Sequence, residues 1–300
     1  MNALRIAMVG LDTSHVPEFT KLLHEPGDPH HIPGAVIAAA FPGGSEDFEM
    51  SRSRVKGFTE SLRESGVDIV ASIGALRPRC DAVMLMSIDG RVHAEQFREV
   101  ASWGVPVFID KPLAVSSADA NSIMAEAGRH GTRVFSASAL RFGESFREAL
   151  DAMGDRPLRG ADLHGPMALQ DKCPGYFWYG VHTAEMLYAA MGSGCREVIA
   201  VRDGDYDIAV GRWADGRLGT LRGCRTGNNG FGGALHGVAA SRRFDALSGK
   251  APLYATLLRE VIAFFKGGPA PVDIAESVEV IGFLEAANES IASGKWEVLA

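Results

Sequence analysis

The chain has 300 residues, 46% hydrophobic and 22% charged, about twice the length of an average domain and ordinary in composition for a folded protein. This excludes a disordered or fibrous chain and predicts two domains. The balance of 30 Lys+Arg against 37 Asp+Glu, with no basic stripe, argues against nucleic acid as a partner, and no apolar run approaches the ~20 residues of a membrane helix.

The opening MNALRIAMVGLD lacks the charged n-region, long apolar stretch and cleavage site of a signal peptide. Cys80, Cys173, Cys195 and Cys224 are widely spaced, with no CxxC pair. A cytoplasmic chain with reduced thiols and no cysteine-built zinc site is therefore expected.

In chain order, near-continuous apolar runs occur at 4–9, 35–41, 67–73, 82–86, 105–109 and 133–135, as expected of parallel strands covered on both faces. Helical spacing links Val16, Phe19, Leu22 and Leu23, and again Ala94, Phe97, Val100 and Ala101. A third helix spans 117–130, with Gly131 just past its end. Strand and helix alternating in this way predict an α/β domain with a doubly wound parallel sheet over residues 1–135.

The rhythm then changes. Asp203-Gly204 and Asp215-Gly216 separate strand-like runs at 198–201, 206–213 and 217–222, a hairpin signal. Helices are predicted at 253–265 and 273–293, the second opened by Asp273 and Glu276 as a capping box. Residues 136–300 thus read as a second, α+β domain with an open antiparallel sheet. An open apolar sheet face predicts a homo-oligomer.

The first strand runs into Gly10-Leu11-Asp12-Thr13-Ser14-His15, where a dinucleotide-binding protein places Gly-x-Gly-x-x-Gly. Only Gly10 is kept; Asp12 and His15 replace the second and third glycines. An ionised carboxylate about 4 Å from a phosphate would cost roughly 4 kcal/mol at an effective dielectric of 20. Glu46 and Asp47 lie a few residues past the position from which an acidic side chain usually holds the ribose.

Asp12, His15, Asp89, His93 and Asp110 fall at or just past strand ends on one rim, a set with metal-ligand chemistry. Helix capping and packing account for them more simply, and no metal is expected. Tyr176, Phe177, Trp178 and Tyr179 form an aromatic run suited either to a sugar face or to core packing.

Two further segments carry a resemblance. Val107-Phe108-Ile109-Asp110-Lys111-Pro112 is a buried strand ending in Asp-Lys-Pro, and Gly175 to Leu187 contains Trp178, His182 and Glu185. Together with Asp81–Gln96, Leu140-Arg141-Phe142 and the tail 286–298, they resemble the Gfo/Idh/MocA oxidoreductase family over nearly the whole chain. The resemblance implies a Rossmann-type domain followed by an open-faced sheet domain, a homo-oligomer, and hydride transfer between NAD or NADP and a small sugar-like or cyclitol substrate. It implies cofactor contacts at Gly10, Asp12, Thr13, Ser14, Ser87, His93, Asp110 and Lys111. It implies substrate contacts at Lys111, Arg141, Trp178, Tyr179 and His182, with Lys111 and His182 catalytic.

A histidine supplies a base near neutral pH, and an ammonium stabilises a developing alkoxide. The family's Glu-Lys-Pro is Asp-Lys-Pro here, its aspartate four residues before the histidine is Trp178, and its aspartate three residues after is Glu185. These departures keep open a second expectation, a member that binds or processes carbohydrate without net redox chemistry.

Overall fold

The structure is a computed structural model that describes residues 3–154 and 158–299. The chain divides into two compact units. One comprises the residues up to Ala114, Ala118–Ser136 and Tyr254–Ile274; the other comprises Val115–Ser117, Ala137–Leu253 and the chain from Ala275 onward.

The first unit is built on β1 (Leu4–Val9), α1 (His15–His24), β2 (Ala35–Phe41), α2 (Glu49–Glu64), β3 (Asp68–Ile69), β4 (Ala82–Leu85), α3 (His93–Val100), β5 (Val107–Ile109), α4 (Ser117–His130) and β6 (Val134–Ser136). Its six strands are parallel, in the order β3-β2-β1-β4-β5-β6. Every residue of β4 and β5 is buried, which accounts for their unbroken apolar runs. The order reverses between β1 and β4, and ligands of such sheets bind at that point, beyond the carboxyl ends of the strands.

Two elements differ from the sequence expectation. The strand read over 67–73 is only Asp68–Ile69, and a 3-10 turn occupies Ile73–Arg79. Helix α2 has no apolar stripe to announce it: only Ser51 and Leu62 are buried, and its exposed face carries the pairs Arg52–Glu49 and Arg63–Glu60.

The second unit contains α5 (Glu144–Asp151), β7 (Gly160–Pro166), α6 (Gly180–Met191), β8 (Cys195–Asp203), β9 (Tyr206–Trp213), β10 (Leu218–Cys224), β11 (Gly232–His236), β12 (Ser241–Asp245), α7 (Leu253–Phe265), α8 (Ile274–Ser293) and β13 (Glu297–Val298), although α7 belongs to the first unit beyond Leu253. The sheet order is β12-β11-β7-β10-β9-β8-β13. It is mixed rather than wholly antiparallel, because β10 pairs with β7 in parallel. Both Asp-Gly sites make tight turns, with Gly204 at φ +53° and Gly216 at φ +88°, angles that a residue with a Cβ rarely adopts.

One face of this sheet is covered: α6 packs on β7 and β10, and Phe283 of α8 lies over Gly211 of β9. The opposite face exposes Val201, Tyr206 and Leu218.

Residues 254–274, read from the sequence as part of the second half, pack in the first unit. Their aromatic side chains find partners there. Phe264 meets Phe135 edge-on at 4.9 Å, Arg133 lies over the Phe264 ring, and Tyr254 stands edge-on to His15 at 4.5 Å. Among the described residues, no helix is long and apolar enough to cross a membrane.

Candidate active site

In the first unit the turn after β1 is held from both sides. Gly10 and Leu11 donate their amides to Phe41 O and Pro42 O, while Met86 N donates to Val9 O. Gly10 has φ +84°, and a Cβ there would lie 2.3 Å from Ser87 Oγ and 2.5 Å from Ser87 N. Only glycine fits. Gly43 closes over it, with a virtual Cβ 3.3 Å from the Gly10 Cα.

Asp12 turns inward. It is fully buried and accepts from Ile88 N (2.8 Å) and Ser51 Oγ (2.6 Å). Burial pushes its carboxyl above the ordinary range, and the two hydrogen bonds only partly offset this. In place of the second glycine, the chain thus has a side-chain brace from the turn to the β4 end and to α2. The amides of Thr13, Ser14 and His15 donate to no acceptor among the described residues, as at an anion-binding helix start.

His15, in place of the third glycine, is also a brace. Its Nδ1 lies 2.9 Å from the fully buried Asp110 Oδ2, its ring stacks on Phe19, and Ser14 Oγ lies 3.1 Å from Tyr254 Oη. Asp110 also accepts the Lys111 amide at 2.9 Å. Burial alone would raise the Asp110 carboxyl; His15 and Lys111 outweigh it and hold it below the ordinary range. The turn after β1 is therefore joined directly to the strand end that carries half-buried Lys111.

Ser87 and His93 serve this same framework. Ser87 Oγ is bonded to the Gln96 side-chain amide at 2.8 Å. His93 is fully buried, with Nε2 at Ser87 O (2.8 Å) and Nδ1 at Pro112 O and Leu113 O (3.0 and 3.2 Å). Asp89, of the candidate metal rim, binds Ser45 Oγ and Arg91, and Arg91 also pairs with Asp47. Asp47, the late acidic residue of the β2 loop, is thus engaged by an arginine. Among the described residues, no group of three His, Cys, Asp or Glu side chains is arranged to hold a metal ion.

In the second unit, His182 lies in the first turn of α6. Its Nδ1 is 2.7 Å from Ser138 Oγ, and its ring meets those of Tyr179 and Phe231 at 5.7 Å each. Glu185, one turn on, is buried and pairs with Arg141 rather than with the histidine. Arg141 also contacts Glu276 at 2.6 Å. Half-buried Glu276 thus completes a Glu–Arg–Glu cluster. Burial raises the Glu185 carboxyl, with Arg141 opposing. Arg141, a substrate candidate by sequence, is engaged by these two glutamates.

Of the aromatic run, Tyr176, Phe177 and Trp178 are buried core residues and Tyr179 is half-buried. Sequence reasoning missed Ser138, Ser51 and the His15–Asp110 contact. Each joins residues far apart in the chain with no local spacing signal.

Comparison with known proteins places this geometry. Residues 4–138 match the model of the Gfo/Idh/MocA family, described as an oxidoreductase family with an NAD-binding Rossmann fold. No curated protein matches the chain.

Among solved structures, GenD2 from gentamicin A biosynthesis, in complex with NAD, is similar with a TM-score of 0.78 at 17% identity, covering 100% of this chain and 97% of its own. A probable dehydrogenase from Thermotoga maritima has a TM-score of 0.78 at 19% identity, covering 99% of each chain. A putative myo-inositol dehydrogenase from Sinorhizobium meliloti 1021 has a TM-score of 0.77 at 14% identity, covering 99% of this chain and 100% of its own. The strand order, the turn at Gly10 and the Asp-Lys-Pro strand end agree with that match, and it is over residues 4–138 that the chain matches the Gfo/Idh/MocA oxidoreductase family.

Proposed function

We propose that the chain is an NAD(P)-dependent oxidoreductase acting on a hydroxyl or carbonyl of a small sugar-like or cyclitol substrate, with Lys111 and His182 handling the substrate proton. The observation that carries this reading is the His15–Asp110 contact, which sets the helix-start amides and Lys111 at one end of one sheet. The residues fit a dinucleotide there. Gly10 leaves room for backbone approach, the α1 amides offer donors, and the Asp12 carboxylate is turned inward.

A bound NAD(P) supplies the hydride acceptor or donor. The amides of Thr13, Ser14 and His15 would hold its phosphates. The Lys111 ammonium stabilises negative charge on the substrate oxygen. His182, with Nδ1 committed to Ser138, exchanges the proton at Nε2. The sugar class is supported by the neighbour named as a myo-inositol dehydrogenase and by a levoglucosan dehydrogenase in complex with NADH and L-sorbose. The open sheet face supports assembly as a homo-oligomer.

A second reading, carbohydrate binding without redox chemistry, is favoured by Trp178, which gives His182 no carboxylate. Calorimetric titration with NAD, NADH, NADP and NADPH separates the two. The redox reading expects saturable binding of at least one nucleotide, and a kcat lowered about 10²–10³-fold by Lys111→Ala and about 10²–10⁴-fold by His182→Ala. Thermal stabilisation by sugars with no binding of any of the four nucleotides would establish the second reading instead.

A further inference from the structure

We propose that Ser138 is the positioning residue of His182, in the role that a carboxylate at position 178 would otherwise fill. The inference rests on the redox reading above. A proton-transferring histidine needs its second nitrogen fixed, because that bond sets both the ring's orientation and its tautomer. Trp178 has no acceptor for a ring N–H, and Glu185 is spent on Arg141. The group that meets Nδ1 is the Ser138 hydroxyl, 2.7 Å away on a fully buried residue.

Ser138 is itself held at two points. Its Oγ accepts the Leu140 amide at 3.3 Å, and its own N–H donates to the Glu185 carboxylate. Glu185 is clamped by Arg141, which also contacts Glu276. The ion cluster therefore acts on His182 through the backbone of Ser138, without putting a charge beside the ring. The Ser138 oxygen has two lone pairs, one for the Leu140 amide and one for the Nδ1–H of His182. The neutral His182 ring is then held with its proton on Nδ1, which leaves the Nε2 lone pair as the base that takes the proton of a substrate hydroxyl. In the return reaction the imidazolium gives its Nε2 proton back to the substrate oxygen and keeps its Nδ1–H on Ser138.

The test uses the full-length protein labelled with 15N in histidine, with the His182 signals assigned by difference against His182→Gln. The expected wild-type spectrum shows the Nδ1–H tautomer of His182 dominant. Ser138→Ala should bring the Nε2–H form up to a comparable population. It should also lower kcat about tenfold with little change in KM, the rate equivalent of one hydrogen bond. Ser138→Thr, which keeps the hydroxyl, should restore both. A merely structural serine would not move the tautomer signals, and retention of the wild-type spectrum and kcat in Ser138→Ala overturns the proposal. If Ser138→Ala does not fold, the comparison is made between Ser138→Thr and Ser138→Cys, and identical spectra for those two overturn it equally. A wild type that turns over no nicotinamide cofactor defeats the redox reading, while the His182 spectrum still decides the hydrogen bond.

Discussion

At the scale of single residues, Asp12 and His15 carry the chain's departure from a glycine-rich phosphate turn. Each replaces the conformational freedom of a glycine with a buried polar contact, Asp12 to Ile88 and Ser51, His15 to Asp110. Asp12→Asn keeps an acceptor for Ile88 and a donor for Ser51 and removes a buried charge. Thermal scans should show the melting temperature kept or slightly raised. Calorimetry should show NAD(H) or NADP(H) binding about threefold to tenfold tighter, the residue of a screened repulsion. His15→Ala leaves the buried Asp110 carboxylate short of a partner. A loss of about 1–3 kcal/mol in urea unfolding is expected. The double change His15→Ala with Asp110→Asn should cost less than the sum of the two single changes, because the two groups are in contact.

At the scale of elements, glycines set how closely helices approach the second sheet. A Cβ on Gly211 of β9 would lie 2.8 Å from the Phe283 ring and 2.9 Å from Trp213, and one on Gly219 of β10 would lie 2.9 Å from Leu187. Gly211→Ala should therefore cost about 1–3 kcal/mol by overpacking, read as a shifted denaturation midpoint with an unchanged slope. The elements with a strong apolar period, such as α1, α3, α7 and the buried strands, were legible in sequence because burial wrote the period into them. Polar α2 was not, and neither was β7, which pairs in parallel with a strand more than fifty residues away and has no hairpin turn to mark it.

At the scale of the whole molecule, the buried carboxyls oppose one another in their response to acid. Asp12 and Glu185 are raised by burial, so their protonation favours the folded state as pH falls toward the ordinary carboxylate range. Asp110 and Asp89 are lowered by their partners, despite burial, so their contribution is complete above that range and is lost as pH falls through their depressed values. The melting temperature should hold or rise from pH 7 to about 5 and fall below about 4. A monotonic fall from pH 7 would contradict the assignment of Asp12 and Glu185. The exposed Val201, Tyr206 and Leu218 on the open sheet face lead to a further expectation, a solution mass above that of one chain by light scattering at micromolar concentration. Leu218→Glu should return it toward the monomer.

The sequence by itself determined the two kinds of sheet, the turn at Gly10, the strand end at Asp110-Lys111 and the helix start at His182, because each is written in local periodicity or in a short run of residues. Tertiary structure alone decided the partners. It turned Asp12 inward, joined His15 to Asp110, placed residues 254–274 with the first unit, and set Ser138 rather than residue 178 against His182. The physical reason is the same in each case. A buried polar side chain must find a hydrogen-bond partner, and which partner it finds depends on chain segments that meet only when the sheets are assembled.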